Sequence, residues 1–558
     1  AAIEQWGIEA TLNRLVGMFA IALWDREERK LYLARDRLGE KPLYYGWLRG
    51  TFAVGSELKA LKVHHRFDNA ISRESLTQYL RHMYVPAPRS IYEGIFKLEP
   101  GCLLEIKGGE EIPVPAEPLR PPARLGKIRL TRWWSLSDVV EVGARRQFSD
   151  EGEALGELEA RLQEAIIGQS LADVPLGAFL SGGVDSSAIV AMLQQHVSRP
   201  VRTFTVGFED AEFDESSHAR AVARHLGTDH TELFVTSAEA RAVIPGLPRM
   251  YDEPFADSSQ IPTHLVCKAA RQHVTVALSG DGGDELFGGY NRYFWAPRIW
   301  RKIGWAPTGF RNMFGAALTA IPENTLDGLA NTVSRFRRGS HRVTRPGASA
   351  HKLGERIKHT ENMDDLYLSL VSEWREPVHL LSPASQSIVE PKSLLADPLP
   401  KSGMEDAVLR MMYWDSISYL PDDILCKVDR AAMACSLETR VPFLDHRVVQ
   451  AAWRLPLSMR VRDGQGKWAL RQLLYKHVPR ELIERPKAGF AIPVGEWIRG
   501  PLNEWAEDLL DERSLKAAGY FDAEPVHRIW GEHKSCRRDW TPRIWSLLMF
   551  QSWLAENG

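Results

Sequence analysis

Val174-Pro175-Leu176-Gly177-Ala178-Phe179-Leu180 runs directly into Ser181-Gly182-Gly183-Val184-Asp185-Ser186-Ser187, and this stretch decides the fold. Residues 174–180 form an apolar run of strand length, and residues 186–196 continue with the periodicity of a helix. Working outward, residues 153–171 have helical periodicity. Residues 201–208 read as a strand. Residues 215–226 read as a helix with Ala219, Val222, Ala223 and Leu226 on one face. Strands at 231–235 and 274–279 flank a helix at 261–272. Strand-helix alternation predicts an α/β fold with a parallel sheet covered on both faces. Such sheets bind ligands beyond the carboxyl ends of their strands.

The loop 181–187 has the chemistry of a phosphate cradle. Its glycines allow close backbone approach to an anion. Ser181, Ser186 and the first helical amides can donate to phosphate oxygens, helped by the positive end of the helix. Asp185 would repel phosphate and makes sense there as a ligand for Mg2+. The GxxxxGK[ST] loop with its γ-phosphate lysine is not present here, so cleavage between the α- and β-phosphates is expected rather than kinase chemistry. A second loop, Ser279-Gly280-Asp281-Gly282-Gly283-Asp284-Glu285-Leu286-Phe287-Gly288-Gly289-Tyr290, follows the strand 274–279. An acid cluster beside a nucleotide needs a cation, which makes Asp284 the second Mg2+ ligand. The spacing does not fit a calcium loop.

SGGVDSS resembles the pyrophosphate loop of the N-type ATP pyrophosphatases. The second loop resembles the SG[ED]G-x-DE-x-FGGY element of asparagine synthetases and their β-lactam-forming relatives. Asp429-Arg430-Ala431-Ala432-Met433, the segment Ser436 to Asp445, and Gly466-Lys467-Trp468-Ala469-Leu470-Arg471 resemble further segments of that family. The resemblance implies an ATP site at Leu180, Ser181, Gly182, Gly183, Asp185, Ser186, Ser187, Val206, Ser279 and Gly280. It implies Mg2+ on Asp185 and Asp284, and Lys467 as the cation that stabilises the adenylation transition state. Asp281 stands where the familiar asparagine synthetases carry Glu, and is assigned to orient the amine or take its proton.

Residues 17–25, 34–45 and 55–61 resemble later strands of a class II glutaminase domain, an N-terminal-nucleophile αββα sandwich. In that family the nucleophile is an N-terminal cysteine. This chain opens with Ala1 and has no cysteine before Cys102, which reads as structural. The family's NG[DE]-x-YN segment is absent as well. The expectation is a fragment lacking its first several dozen residues. Residues 1–140 are then the glutaminase domain without its N-terminal part. Residues 131–148 form a linker, and 150–558 form the ATP pyrophosphatase domain with a helical C-terminal part.

A chain of 558 residues is too long for one core, which agrees with two domains. The net charge of -2 gives no reason to expect nucleic acid, and the basic stretch Arg335, Arg337, Arg338, Arg342, Arg345 reads as a solvated loop. Five cysteines show no CxxC pairing, so neither a zinc site nor a disulfide framework is expected, and a reduced cytoplasmic setting fits. No apolar run of membrane-spanning length and no signal-peptide pattern is read in the sequence. The resemblance implies ATP-dependent amidation of L-aspartate to L-asparagine through β-aspartyl-AMP, with ammonia from glutamine, by a homodimer. Three rivals are weighed, and the last is set aside because no cysteine lies near the nucleotide loop. One is a related amidotransferase acting on another carboxylate, such as a sugar acid of a surface polysaccharide. The second is a non-catalytic partner subunit. The third, a tRNA-thiolating enzyme, would need cysteines near the nucleotide loop.

Overall fold

The computed structural model describes residues 1–108, 112–209, 214–323, 325–328, 346–485 and 492–558. The basic stretch 335–345 lies outside them. Two antiparallel sheets come first. One has the order β1 (Ala20–Asp25), β2 (Lys30–Arg35), β6 (Cys102–Lys107), β8 (Ile128–Arg132) and β7 (Ala123–Leu125). The other has the order β4 (Thr51–Gly55), β3 (Tyr44–Leu48) and β5 (Ile95–Lys97). Strand alternation sends Cys102, Leu104 and Ile106 to one side of β6, where they share a core with Tyr45, Trp47 and Phe96 of the smaller sheet. Cys102 is fully buried there, and burial pushes its thiol up to about 12, so it is a packing residue.

The third sheet is parallel throughout, in the order β11 (Asp229–Val235), β10 (Arg202–Phe208), β9 (Leu176–Phe179), β12 (Val276–Leu278) and β13 (Glu438–Arg440). The chain runs outward from β9 through β10 to β11, then returns to place β12 on the other side of β9. The strand order therefore reverses at β9 and β12, and both glycine-rich loops follow these two strands. Helices Glu151–Ser170 and Val184–His196 cover the sheet through Leu158, Leu162, Ile189 and Leu193. No helix among the described residues is long and apolar enough to cross a membrane.

Three expectations change. The apolar run 16–24 becomes strand only from Ala20. β13 was not read as a strand, because three residues far along the chain carry no local period. Residues 131–148 are not a linker: β8 takes the first two, and an amphipathic helix, Leu136–Arg145, fills most of the rest. That helix buries Leu136, Val140 and Gly143 and packs on the helix His446–Arg454.

The sheets before and after this segment are also tied by side chains. One continuous core joins Tyr44, Tyr79 and Tyr92 to Phe204, Tyr251, Phe550 and Trp553. The Tyr79 hydroxyl donates to the Ser546 carbonyl at 2.6 Å on the C-terminal helix Thr541–Asn557.

A Cβ at Gly143 would meet the Trp453 carbonyl at 2.6 Å. We therefore expect Gly143→Val to destabilise the fold by about 1–3 kcal/mol in urea unfolding. An unchanged midpoint would return this segment to the status of a linker.

Candidate active site

The two loops meet because glycine lets them. At Gly280 a Cβ would stand 2.9 Å from the Ser186 amide nitrogen, so only glycine allows the second loop to lie against the start of the helix Val184–His196. Within the first loop the hydroxyls pair with each other. Ser186 Oγ accepts from the Ser181 amide at 3.1 Å, and the two Oγ atoms are 3.0 Å apart.

Asp185 and Asp284 converge on one cation. Lys467 Nζ binds Asp185 Oδ2 and, at 2.7 Å, Asp284 Oδ1. Lys467 is buried at the cap of the helix Trp468–Leu474, with its backbone in the left-handed region (φ 62°). Its amide donates to the Phe287 carbonyl at 2.8 Å, which fastens it to the second loop. Burial opposes its charge, but the two carboxylates outweigh burial and raise the ammonium above the ordinary lysine range.

Asp281 accepts from the Ser279 hydroxyl at 2.5 Å. Burial pushes its carboxyl up; Ser279 and Lys427 pull the other way. Glu285 is buried beside Asp284, and burial followed by that neighbouring charge raises it to about 8, while Tyr290 donates to it at 2.6 Å. Lys427 reaches Asp257 at 2.7 Å and the Ser259 hydroxyl at 2.8 Å. Arg292 lies over the Tyr290 ring at 4.1 Å and pairs with Asp415 at 2.8 Å.

A single cleft takes in Leu180, Ser181, Gly183, Asp185, Ser186, Val206, Ser279, Gly280, Asp281, Asp284 and Lys467. Gly182 and Ser187 stand behind its wall: Gly182 packs on the start of the helix Ser216–Leu226, and Ser187 is fully buried. Sequence reasoning missed Lys427, Glu215 and Arg485 on the same cleft. Each reaches it through tertiary packing, and none sits in a pattern that names a ligand.

The segments around residues 36, 57 and 429 also come together. The Asp36 carboxylate accepts amides of its own loop, among them Gly39 at 2.7 Å and Lys41 at 2.9 Å. Lys41 then pairs with Asp429 at 2.8 Å, and Arg430 with Glu57 at 2.9 Å. Asp429 and Arg430 thus bind the first sheets to the catalytic half. A small cavity at this seam is lined by Arg35, Gly39, Tyr44, Asp422, Cys426 and Arg430. The same helical stretch turns Tyr419 and Lys427 to the large cleft.

A parallel sheet whose switch point carries a phosphate-type loop, an acid pair and a bridging lysine defines a nucleotide-dependent ligase of the ATP pyrophosphatase class. The asparagine synthase family model matches residues 157–555, and the glutamine amidotransferase domain model matches residues 1–115. A protein of Mycobacterium tuberculosis named for glutamine-hydrolysing asparagine synthetase is 34% identical over 562 residues, covering 100% of this chain and 78% of the relative. Asparagine synthetase 1 of Bacillus subtilis is 30% identical over 552 residues, covering 98% and 79%. An amidase of Penicillium rubens is 25% identical over 554 residues, covering 94% and 76%. The chain belongs to the asparagine synthase family and is a carbon–nitrogen ligase of the glutamine-dependent type.

Gly280→Ala forces the two loops apart. An overpacking penalty of about 1–3 kcal/mol confined to this contact weakens ATP binding about ten-fold or more by calorimetry. ATP affinity equal to the parent would show that the loops do not form one site.

Proposed function

We propose that this enzyme activates L-aspartate as β-aspartyl-AMP and converts it to L-asparagine with ammonia derived from glutamine. The observation that carries this reading is the pair Asp185 and Asp284, which reach one ammonium from neighbouring strand tips. Two hard carboxylate donors converging on one cation suit Mg2+, which characteristically takes one or two carboxylates and fills its shell with phosphate oxygens and water. Bound there, Mg2+ would neutralise polyphosphate charge.

ATP lies along the two loops, with its phosphates at Ser181, Gly183, Ser186 and Gly280. The aspartate β-carboxylate attacks the α-phosphorus, the bond to the bridging oxygen of the β-phosphate breaks, and pyrophosphate leaves. Lys467 supplies positive charge to that departure. The ammonia nitrogen then bonds to the acyl carbon, AMP leaves, and the nitrogen gives up one proton. Asp281 takes it: burial raises this carboxyl and so makes it a stronger base than an exposed aspartate.

We assign residues 1–140 to the glutaminase domain and 150–558 to the synthetase domain. The matched family models and the separate sheets support this division. The seam cavity and the large cleft are both lined by the helical stretch 419–430, which fits the passage of ammonia between the two domains.

The test is ATP–pyrophosphate exchange across a panel of carboxylates. Exchange should depend on L-aspartate, and Lys467→Ala should lower its rate by about 10²–10³-fold, the usual loss for one preorganised donor. Exchange driven by another carboxylate and not by aspartate would overturn the acceptor. No exchange with any carboxylate would overturn the ligase chemistry.

A further inference from the structure

The phosphate loop has a second cation that its own sequence does not announce. Arg485 lines the nucleotide cleft with a side chain 17% exposed. Its Nη2 donates to the Ser181 carbonyl at 3.3 Å, and its Nη1 pairs with Glu215 at 3.0 Å. Lys467 meets the same loop four residues further on, at Asp185.

The two cations are held in one frame. Glu484, the residue before Arg485, accepts from Arg471 at 2.8 Å and from Gln465 at 3.0 Å. Arg471 belongs to the helix that Lys467 caps. The charge balance calls for such a partner. The cleft brings Asp185, Asp284 and Asp281 close to the loops, and Lys467 meets the first two of them. Lys427 pairs with Asp257, Arg292 with Asp415 and Arg471 with Glu484, all partners outside the phosphate loop. A departing pyrophosphate carries several negative charges. Among the described residues of the cleft, Arg485 touches the loop backbone where phosphate would lie.

We propose that Arg485 is a catalytic residue that binds the pyrophosphate portion of ATP and stabilises it as it leaves. The assignment rests on the ligase reading above. A carbonyl at 3.3 Å is a weak acceptor, whereas a phosphate offers two charged oxygens matched to the guanidinium fork, so the side chain exchanges a poor partner for a better one when nucleotide binds. Glu215 keeps the guanidinium aimed along the loop. His218, at the start of the same helix, is held below the ordinary histidine range first by burial and then by the Arg485 charge.

Pyrophosphate binding in the presence of magnesium, measured by calorimetry, tests this. Arg485→Ala should weaken pyrophosphate binding about ten-fold or more, the effect of losing a charged hydrogen bond, while AMP affinity and melting temperature stay near those of the parent. Arg485→Lys should recover part of the loss, and it serves as the reporting variant if Arg485→Ala does not fold. Parent-like pyrophosphate binding in either variant would overturn the proposal. So would an equal loss of AMP and pyrophosphate binding with a lowered melting temperature, which would mark a structural arginine. The outcome is separable from that of the ligase reading. Arg485-dependent pyrophosphate binding without carboxylate-driven exchange would sink the ligase reading alone, and exchange that ignores Arg485 would sink this assignment alone.

Discussion

Everything at the site depends on two negative charges being brought within reach of one positive charge. Asp185 opens the helix after β9, and Asp284 lies in the short helix Gly283–Phe287 that follows β12. Both strands are short, and β12 pairs with β9 through only three residues, Val276 to Leu278. That register sets the distance between the carboxylates. Lys467, arriving from a third part of the chain, binds both and is fixed by its own backbone to the second loop. A buried lysine with two carboxylates is stable because its charge is compensated on the spot.

Around this centre the fold has two tasks. It must keep the parallel sheet rigid beneath the loops, and it must hold the first two sheets against the synthetase half. The first is met by helices packed on the sheet through Leu158, Leu162 and Ile189. The second is met by paired charges at the seam, Lys41 with Asp429 and Arg430 with Glu57, and by aromatic packing at the C-terminal helix.

Much of the parallel sheet was legible in the sequence because its strands are apolar runs punctuated by helices of clear period. The loops were legible for a different reason: glycines beside carboxylates after a strand have few structural uses. Asp185 and Asp284 were assignable from local pattern and Lys467 from the resemblance of its segment, and the structure brings the three together. What stayed hidden was non-local. β13 is three residues long and gains its meaning from pairing with β12. The helix Leu136–Arg145 reads as a linker in the sequence because few cues beyond its amphipathic period mark it, and its partner, the helix His446–Arg454, stands far along the chain. Arg485 and Glu215 carry no motif at all. Asp429 and Arg430 were recognised as a segment, but their work in joining the halves could be seen only once Lys41 and Glu57 stood opposite them.

The central claim is that Asp185 and Asp284 are two halves of one cation site. The most direct test is Mn2+ binding followed by electron paramagnetic resonance in the presence of a non-hydrolysable ATP analogue. Asp185→Asn, Asp284→Asn and the double variant would be compared with the parent. The account predicts one nucleotide-dependent Mn2+ site in the parent, lost in each single variant, with the double variant no worse than either. Retention of the site in both single variants, or independent and additive losses, would contradict it.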